Sequence, residues 1–513
     1  MTDKSSNAAI QFIDDQIENG FGDKPAFIDP SRSLTYVQLD RESRQMANLL
    51  ESSGIEREHR IAILAIDTVD WPVMFFGAMR AGVIPVALNT LLGPDQYEYM
   101  LTDSRARALF VSSALLPAVE SVLSSLPNLK TVVVVGEGEH SHTDYHTTLA
   151  QQSDAYETVQ SSPDEVAFWL YSSGSTGAPK GAQHVHSSMM KTAVDYGQGT
   201  LGFRSDDVVL SAAKMFFAYG LGNSISFPMA VGATTVLWPG RPTPDDLFGL
   251  MKAHQPTLFF GVPTLYAAML ANEQCVPENG SANLRLCISA GEALPPEIGR
   301  SWQERFGVPI LDGVGSTEML HIYLSNREDA LEYGTSGIAV PGYSLRLVDE
   351  AGNDVAEGEI GEMLVSGETA SIGYWNQVKK SRNTFAGHWT YTGDKYTRDA
   401  NDRYTYCGRT DDMFKVSGIW LSPFEVESAL VDHSTVMEAA VVAYEDDEGL
   451  TKAKAYVVLH EQNREDDPQS LRDDLKEHVK TAIGKWKYPR QIEFIDALPK
   501  TATGKIQRFK LRD

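Results

Sequence analysis

One segment constrains this chain more than any other: residues 171–181, which read Tyr-Ser-Ser-Gly-Ser-Thr-Gly-Ala-Pro-Lys-Gly. Val166 to Tyr171 is apolar and short enough for a buried strand, and a helix is predicted to begin at Ser187. Glycines let a backbone approach phosphate oxygens closely, hydroxyl and amide groups donate hydrogen bonds to them, and Lys180 adds a positive charge. The segment predicts a loop that follows a strand and holds a polyphosphate.

The spacing excludes a Walker-type loop, because that motif requires Gly-Lys followed by Ser or Thr. Here Pro179 precedes Lys180, and Gly181 follows it. Taken alone, a Gly/Ser-rich loop is more often a flexible connection than a binding site. Other segments have to decide between the two interpretations.

Composition limits the possible partners. Lys and Arg number 44 against 69 Asp and Glu, which gives a formal net charge of −25. Such a surface repels nucleic acid and anionic lipid, so neither is expected to bind. An anionic nucleotide would have to be attracted by local cations and a metal ion.

The other global features predict a cytosolic protein of more than one domain. The length of 513 residues exceeds that of a usual single domain. The three cysteines, Cys275, Cys287 and Cys407, match neither a zinc site nor a disulfide framework. The N-terminus lacks a signal-peptide pattern, and the apolar stretch from Trp71 to Leu88 is broken by Arg80 and two prolines, which indicates a buried helix and strand.

Alternating elements predict an α/β fold with layered, mostly parallel sheets. The predicted helix is Leu39–Glu51, and the predicted strands are Ile61–Ile66, Ala108–Ser112, Thr131–Val135 and Val208–Ser211. The polar residues 137–164 are predicted to form a long surface connection. After Gly337 the pattern changes to that of an antiparallel or β-barrel-like subdomain, with strands Tyr343–Asp349, Gly361–Ser366 and Arg403–Cys407.

The 171–181 segment resembles the signature loop of the adenylate-forming superfamily, which includes acyl-CoA synthetases, luciferases and the adenylation domains of peptide synthetases. Four more segments resemble motifs of this family, in the family's order. They are Gly-Ser-Thr-Glu at 315–318, Tyr-Thr-Gly-Asp at 391–394, Gly-Arg-Thr-Asp-Asp at 408–412 and Pro-Lys-Thr-Ala-Thr-Gly-Lys at 499–505. Five motifs in order make a chance match improbable.

The resemblance implies three parts: a large N-terminal domain at 1–408, a hinge at 409–412 and a small mobile α+β cap at 413–513. Asp411 matches the hinge pivot of the family. Coenzyme A is expected to bind beside the Lys415–Gly418 loop, at Ser417 and Gly418, because glycine permits close approach of a thin ligand.

The resemblance also implies an ATP site with magnesium. Glu318 is expected to be the metal ligand, Thr317 to contact the α-phosphate, and Lys505 to be the mobile lysine that bridges substrate carboxylate and α-phosphate. Asp394 is expected to accept from the ribose hydroxyls, and Arg409 to reach the ribose or a phosphate. The remaining expected nucleotide contacts are Ser173, Ser175, Thr176 and Lys180 at the phosphates and Ala290, Gly291, Glu292, Asp312 and Gly313 in the adenine pocket.

The acyl site is predicted from residues 214–223 and 319–326, which closely resemble the benzoate and hydroxybenzoate CoA ligases. Aromatic side chains with small residues between them could form a flat slot for one ring. The expected contacts are Phe217, Ala218, Tyr219, Gly220, Gly313 and His321. No Asp between Lys214 and Asn223 is available to pair with an α-amino group, which argues against an amino acid substrate.

These features predict a ligase that uses ATP, Mg²⁺ and coenzyme A to convert an aromatic carboxylate into its CoA thioester through an acyl-adenylate. An aliphatic acyl-CoA synthetase is the alternative within the family. A catalytically silent binding protein is the alternative from another class, although Lys180, Glu318, Asp394 and Lys505 argue against it. The ring substituents and the oligomeric state, monomer or homodimer, stay open.

Overall fold

The computed structural model describes residues 6–172, 178–410, 412–416, 419–446, 450–464, 467–500 and 506–512. Two compact units are present. The first comprises Met1–Leu345 and Val365–Tyr391, and the second comprises Arg346–Leu364 and Thr392–Asp513. A large α/β part and a smaller C-terminal part confirm the predicted fold class.

The strands of the described residues are numbered along the chain. They are β1 (Pro25–Ile28), β2 (Ser33–Thr35), β3 (Arg60–Leu64), β4 (Ile84–Ala87), β5 (Ala108–Ser112), β6 (Thr131–Val135), β7 (Thr143–Asp144), β8 (Val166–Ser172), β9 (Lys180–Val185), β10 (Val208–Ser211), β11 (Thr234–Val236), β12 (Leu258–Gly261), β13 (Leu286–Ala290), β14 (Ile310–Gly315), β15 (Ile322–Ser325), β16 (Ile338–Ala339), β17 (Ser344–Val348), β18 (Gly361–Ser366), β19 (Phe385–Ala386), β20 (Trp389–Arg398), β21 (Tyr404–Arg409), β22 (Phe414–Val416), β23 (Ile419–Leu421), β24 (Val436–Glu445), β25 (Thr451–Leu459) and β26 (Gln491–Phe494).

The α-helices are numbered in the same way. They are α1 (Tyr36–Ser52), α2 (Asp70–Arg80), α3 (Pro94–Ser104), α4 (Tyr145–Ala150), α5 (His186–Thr192), α6 (Ala218–Leu221), α7 (Phe227–Ala230), α8 (Pro244–His254), α9 (Pro263–Ala271), α10 (Pro296–Phe306), α11 (Val378–Thr384), α12 (Pro423–Val431) and α13 (Pro468–Ile483). A π-helical turn, Gly222–Ser226, joins α6 to α7. Helix α1 begins after Thr35, whose hydroxyl accepts the Gln38 N–H while the Thr35 N–H donates to the Gln38 side chain. This capping box fixes its first turn.

A seven-stranded sheet in the first unit has the order β7-β6-β5-β3-β4-β8-β9. Every neighbouring pair is parallel except β8 and β9. Its strands are buried on both faces, because alternate side chains of β3 enter different cores. Ile61 and Ile63 pack in the cluster that contains α1 and α2, whereas Ala62 and Leu64 pack in the cluster that contains α3. This arrangement is typical of layered α/β proteins.

A nine-stranded sheet in the same unit has the order β16-β15-β14-β13-β12-β10-β11-β1-β2. From β14 to β1 the pairing is parallel, and β2, β15 and β16 are antiparallel additions at the two edges. The carboxyl ends of β12, β13 and β14 therefore lie side by side. Ligands of open α/β sheets bind at such ends.

One expectation about the first unit is confirmed and another was wrong. The helix predicted to begin at Ser187 is α5, which begins at His186, and it is preceded by β9, an unpredicted strand that pairs antiparallel with β8. Residues 137–164 are not one surface connection, because they contain β7 and α4, with Tyr145 fully buried. Trp71–Leu88 contains a buried helix and strand as predicted, α2 and β4.

The second unit contains a three-stranded sheet, β24-β25-β26, in which β26 is parallel to β25. Helices α12 and α13 contribute Val426, Leu430, Leu471 and Leu475 to its core. A five-stranded sheet holds β17 to β21, with β20 antiparallel to both β19 and β21. Antiparallel strands therefore occur where the sequence predicted them.

Candidate active site

The Gly/Ser-rich segment lies in the sequence between β8, which ends at Ser172, and β9, which begins at Lys180. Ser172 and Lys180 are partners in the strand register and lie on either side of it. Ser173, Ser175 and Thr176, three of the expected phosphate contacts, lie outside the described residues. Lys180 is the first residue of β9, so a regular strand fixes its backbone.

Three side chains of the first unit lie at the Glu318 carboxylate. Oε1 of Glu318 accepts from the Tyr374 hydroxyl at 2.6 Å and from Ser172 Oγ at 3.0 Å. Nζ of Lys180 is 3.3 Å from the Tyr374 hydroxyl oxygen and 4.0 Å from Glu318 Oε1. The structure thus brings two predicted residues, Lys180 and Glu318, together.

Thr317 is held through its backbone. Its carbonyl accepts from Nε2 of His184 at 2.9 Å, and the His184 ring stacks on Phe168 with centroids 5.3 Å apart. Since a carbonyl only accepts, Nε2 carries the proton, and burial lowers the pKa of His184 to about 4. His184 therefore stays neutral and anchors the turn that carries Thr317 and Glu318.

The predicted adenine contacts come from two neighbouring strands. β13 ends at Ala290, which is the register partner of Gly313 in β14, and Ser289 is the partner of Asp312. Gly291 has a φ of +95°, a conformation that glycine adopts without strain, so the chain can turn sharply after Ala290. Register thus places 290–292 and 312–313 side by side, as a shared pocket requires.

Asp312 is a buried carboxyl with an orphaned oxygen. Burial raises its pKa well above the usual range, although backbone N–H groups of Leu294 and Gly313 partly oppose this. Within the described residues, Oδ1 has no hydrogen-bond partner. A carboxyl oxygen accepts hydrogen bonds, so Oδ1 of Asp312 can accept one from an exocyclic amine.

The predicted acyl region contains a buried aromatic and histidine cluster. Nε2 of His321 lies 3.2 Å from the Tyr219 carbonyl and 3.2 Å from Asn223 Oδ1. The His321 ring packs on Tyr219, Tyr196 and Phe227, with centroids 5.6, 5.5 and 4.5 Å away. Burial lowers the pKa of His321 to about 3, so the ring is neutral at ordinary pH.

The other predicted acyl residues are placed by α6 and its N-terminal loop. Ala218 begins this helix and is 9% exposed, while Phe217 is half-buried against Phe216, with centroids 4.3 Å apart. A side chain at Gly220 would lie 2.0 Å from the Lys214 carbonyl oxygen. Glycine at 220 is therefore required by backbone packing, and its contact with substrate stays a prediction.

An ion pair that no sequence pattern indicated holds the start of this region. Lys214 Nζ donates to the carbonyls of Trp238 and Gly240 and lies 4.0 Å from Asp67 Oδ2. Asp67 also accepts the Met215 N–H at 3.3 Å. Burial raises the pKa of Asp67 to about 6, while Lys214 opposes the shift.

In the second unit, the predicted ribose residues form an ion pair. Asp394 and Arg409 are register partners on β20 and β21, and Arg409 Nη1 is 3.0 Å from Asp394 Oδ1. The Asp394 N–H donates to Thr392 Oγ1 at 3.1 Å, and Gly393 has a φ of +72°. The pairing of β20 with β21 thus presents the carboxylate beside a cation. The other second-unit predictions, Asp411, Ser417, Gly418 and Lys505, lie outside the described residues.

The residues around Glu318 fit a magnesium ion that is held partly by nucleotide. No group of three or more His, Cys, Asp or Glu side chains suited to a metal occurs in the part of the chain that is described. Magnesium often takes only one or two protein carboxylates and completes its shell with phosphates and water. Both described hydrogen bonds to the Glu318 carboxylate fall on Oε1, which leaves Oε2 facing none of the described donors.

A search of the described helices finds none with the length and apolar character needed to cross a membrane.

Comparison with protein families gives the assignment. The family model for the AMP-binding enzyme matches residues 14–375, and that for the AMP-binding enzyme C-terminal domain matches residues 425–505. The chain belongs to the AMP-binding enzyme family. The adenylate-forming family that the motifs predicted is confirmed, and both matches include segments that carried the resemblance.

Individual relatives are similar over nearly the whole chain. A 4-hydroxybenzoate–CoA/benzoate–CoA ligase of Rhodopseudomonas palustris is 54% identical over 99% of this chain and 94% of its own length. The crystal structure of a benzoate CoA ligase from Burkholderia xenovorans LB400 has a TM-score of 0.90 and 46% identity, covering 99% of this chain and 100% of the other. An anthranilate CoA ligase in complex with anthranoyl-AMP has a TM-score of 0.93 and 41% identity, covering 99% and 96%.

Several residues of the site were not predicted from sequence patterns. Tyr374 lies 56 positions from Glu318, and Ser172 lies 146 positions from it, so no spacing pattern links them. His184 and Asn223 are buried polar residues, and such residues usually need partners. That rule could have marked both as candidates, but not their partners.

Proposed function

We propose that this chain is an ATP-dependent ligase that joins benzoate or a hydroxybenzoate to coenzyme A. The similarity to the Rhodopseudomonas palustris ligase, 54% identity over 507 residues, carries the proposal. The class predicted from sequence, an AMP-forming aromatic carboxylate–CoA ligase, agrees with it.

In the first step, a carboxylate oxygen of the substrate attacks the α-phosphorus of ATP, and the bond to pyrophosphate breaks. Both reactants are anionic, so the barrier is electrostatic, and fixed cations aimed at the phosphates lower it. Lys180 supplies one such charge, and Lys505 a second at the carboxylate and α-phosphate. Thr317 donates to the α-phosphate, and Asp394 with Arg409 holds the ribose.

Glu318 would hold the magnesium ion, which neutralises charge on the phosphates when it is bound. Its carboxylate offers hard oxygen and sits 4.0 Å from the Lys180 ammonium, so metal ligand and phosphate cation are adjacent. This geometry supports a site in which the phosphates of one nucleotide would contact both the Lys180 ammonium and the magnesium ion held by Glu318.

The acyl ring would lie against the cluster of Tyr219, Ala218 and His321. The cluster is aromatic on several sides and holds a neutral imidazole, which suits a planar uncharged ring better than a charged side chain.

In the second step, the sulfur of coenzyme A attacks the acyl carbonyl carbon, the bond to AMP breaks, and the thiol proton passes to solvent. We place Ser417 and Gly418 at the coenzyme A path and Asp411 at the pivot of a cap that carries Lys505 away. The boundaries 1–408, 409–412 and 413–513 belong to this proposal, as does a cytoplasmic location.

Exchange of radiolabelled pyrophosphate into ATP, measured across a panel of carboxylic acids, tests the proposal. Benzoate and 3- and 4-hydroxybenzoate should support exchange, and addition of coenzyme A should yield the thioester. Preference for octanoate would favour an aliphatic ligase. No exchange with any acid would favour a catalytically silent binding protein.

A further inference from the structure

Tyr374 occupies a position between the two residues assigned to the metal and the phosphates. Its hydroxyl donates to Glu318 Oε1 at 2.6 Å and accepts from Lys180 Nζ at 3.3 Å. The same ammonium lies 4.4 Å from the centroid of the Tyr374 ring. Tyr374 therefore contacts both partners of an ion pair whose charged atoms are 4.0 Å apart.

The fold fixes Tyr374 in this place through its backbone. Tyr374 bridges to Ala182 of β9, the Trp375 N–H donates to the Gly181 carbonyl at 2.8 Å, and the Tyr374 N–H donates to Ser381 Oγ at 2.9 Å. The side chain is 5% exposed. Because β9 also carries Lys180, one strand positions both residues.

We infer that Tyr374 is a positioning residue for the nucleotide–magnesium site, an inference that rests on the ATP and magnesium site of the proposed function and not on its acyl substrate. The Tyr374 hydroxyl and Ser172 Oγ both donate to Oε1 of Glu318 and so fix the carboxylate, whose Oε2 would hold the magnesium ion. Its oxygen and ring hold the Lys180 ammonium beside the carboxylate until phosphates compete for it. Hydrogen bonds to a charged group are shorter and stronger than neutral ones, so this restraint is substantial.

The restraint predicts a specific defect in Tyr374→Phe, which keeps the ring and the cation–π contact but removes the hydroxyl. Magnesium should strengthen ATP binding less in the variant than in the wild type. The loss of one hydrogen bond to a carboxylate corresponds to a reduction of about 10-fold in this magnesium effect. Binding of ATP in EDTA, where Glu318 has no metal to hold, should change much less.

Calorimetric titration of ATP, with EDTA and with Mg²⁺, measures this effect without turnover. Ser172→Ala, which removes the other donor to Oε1, should show a smaller defect of the same kind. Tyr36→Phe is the matched control, because Tyr36 is a fully buried tyrosine whose hydroxyl donates to the Ala233 carbonyl. It should leave the magnesium effect unchanged.

An equal loss of ATP affinity with and without magnesium would overturn the inference, as would an unchanged magnesium effect. Thermal unfolding identifies a variant that is merely misfolded, and Ser172→Ala then supplies the independent measurement. If the wild type binds ATP but no aromatic acid supports exchange, the proposed function fails while the Tyr374 inference stands.

Discussion

The imidazole of His321 lies with Nε2 at 3.2 Å from Oδ1 of Asn223, and the Tyr219 carbonyl lies at the same distance from that nitrogen. Since a backbone carbonyl only accepts, Nε2 carries the proton and Nδ1 is left with a lone pair. Nδ1 is buried and has no partner within the described residues. The histidine is thus fixed as a neutral tautomer beside the proposed acyl site.

The fixed position of His321 predicts the effect of Gly222→Ala. A Cβ at 222 would lie 2.2 Å from His321 Cδ2 and 2.6 Å from Nε2, so the ring has to move. A displacement of about 1 Å in a substrate-positioning group can lower turnover about 10²-fold, and we expect a loss of that order in kcat/KM for benzoate. ATP binding should be retained. Steady-state kinetics with calorimetry measures both.

Gly249→Ala is the matched control for that substitution. Gly249 lies within α8, where a Cβ would meet no atom within 4 Å, and alanine should stabilise the helix by about 0.5–1 kcal/mol. Unchanged benzoate kinetics in Gly222→Ala would show that His321 does not border the acyl site.

Ala218→Leu tests the aromatic slot. Ala218 is 9% exposed at the start of α6, so a leucine there has to occupy space beside the aromatic cluster. Wild-type protein should prefer benzoate to octanoate by about 10-fold or more in kcat/KM, which corresponds to about 1.4 kcal/mol. The variant should lose benzoate turnover but bind ATP normally. A wild type that prefers octanoate would exclude the slot.

The larger features of this protein could be predicted because they leave local patterns. β5, β6 and β10 have the predicted bounds, since each is a run of apolar residues that is buried in a parallel sheet. The family could be predicted because short motifs carry its chemistry. Residues 290–292 and 312–313 were predicted to line one adenine pocket, and the register of β13 and β14 places Ala290 beside Gly313.

The features that the sequence did not predict depend on contacts between residues that are far apart along the chain. Tyr374 reaches Glu318 only because β9 pairs with β8 and bridges to residue 374, a pairing that the loop sequence does not indicate. β7 has only two residues, which are too few to show the alternation of apolar and polar residues by which a strand is predicted. α4 did have a local signal, because Asp144 caps it by accepting the Thr147 N–H at 2.7 Å.

Buried histidines predict loss of stability in acid. His186 is 2% exposed, its Nδ1 accepts the Ala8 N–H at 3.1 Å, and burial lowers its pKa to about 4. The unfolded chain takes up a proton below the usual pKa of about 6.5, whereas the folded chain does not until about 4, so stability falls as pH drops through this window. Between pH 7.5 and 5.5, this residue lowers the free energy of unfolding by about 1.4 kcal/mol.

The free energy of unfolding, measured with urea at pH 7.5 and at pH 5.5, should therefore differ less in His186→Asn than in the wild type, by about that amount. His146 supplies a control of opposite sign, because its hydrogen bond to Asp70 raises its pKa. A raised pKa stabilises the folded chain below the unfolded pKa, so His146→Gln should increase the loss in acid. An unchanged pH dependence in His186→Asn would contradict burial as the cause.

Lys505→Ala separates the two half-reactions. Removing one preorganised electrostatic group at a transition state costs about 10² or more in rate, so pyrophosphate exchange should fall by that factor. Thioester formation from supplied benzoyl-adenylate should persist, because the second step transfers the acyl group to sulfur and leaves the α-phosphate bonds intact. Lys510→Ala, a change of the same type at an exposed lysine in the same terminal segment, should leave both rates unchanged. Equal losses in the two half-reactions of Lys505→Ala would rule out this division of roles, since the lysine would then support the folded enzyme as a whole and not the attack on ATP.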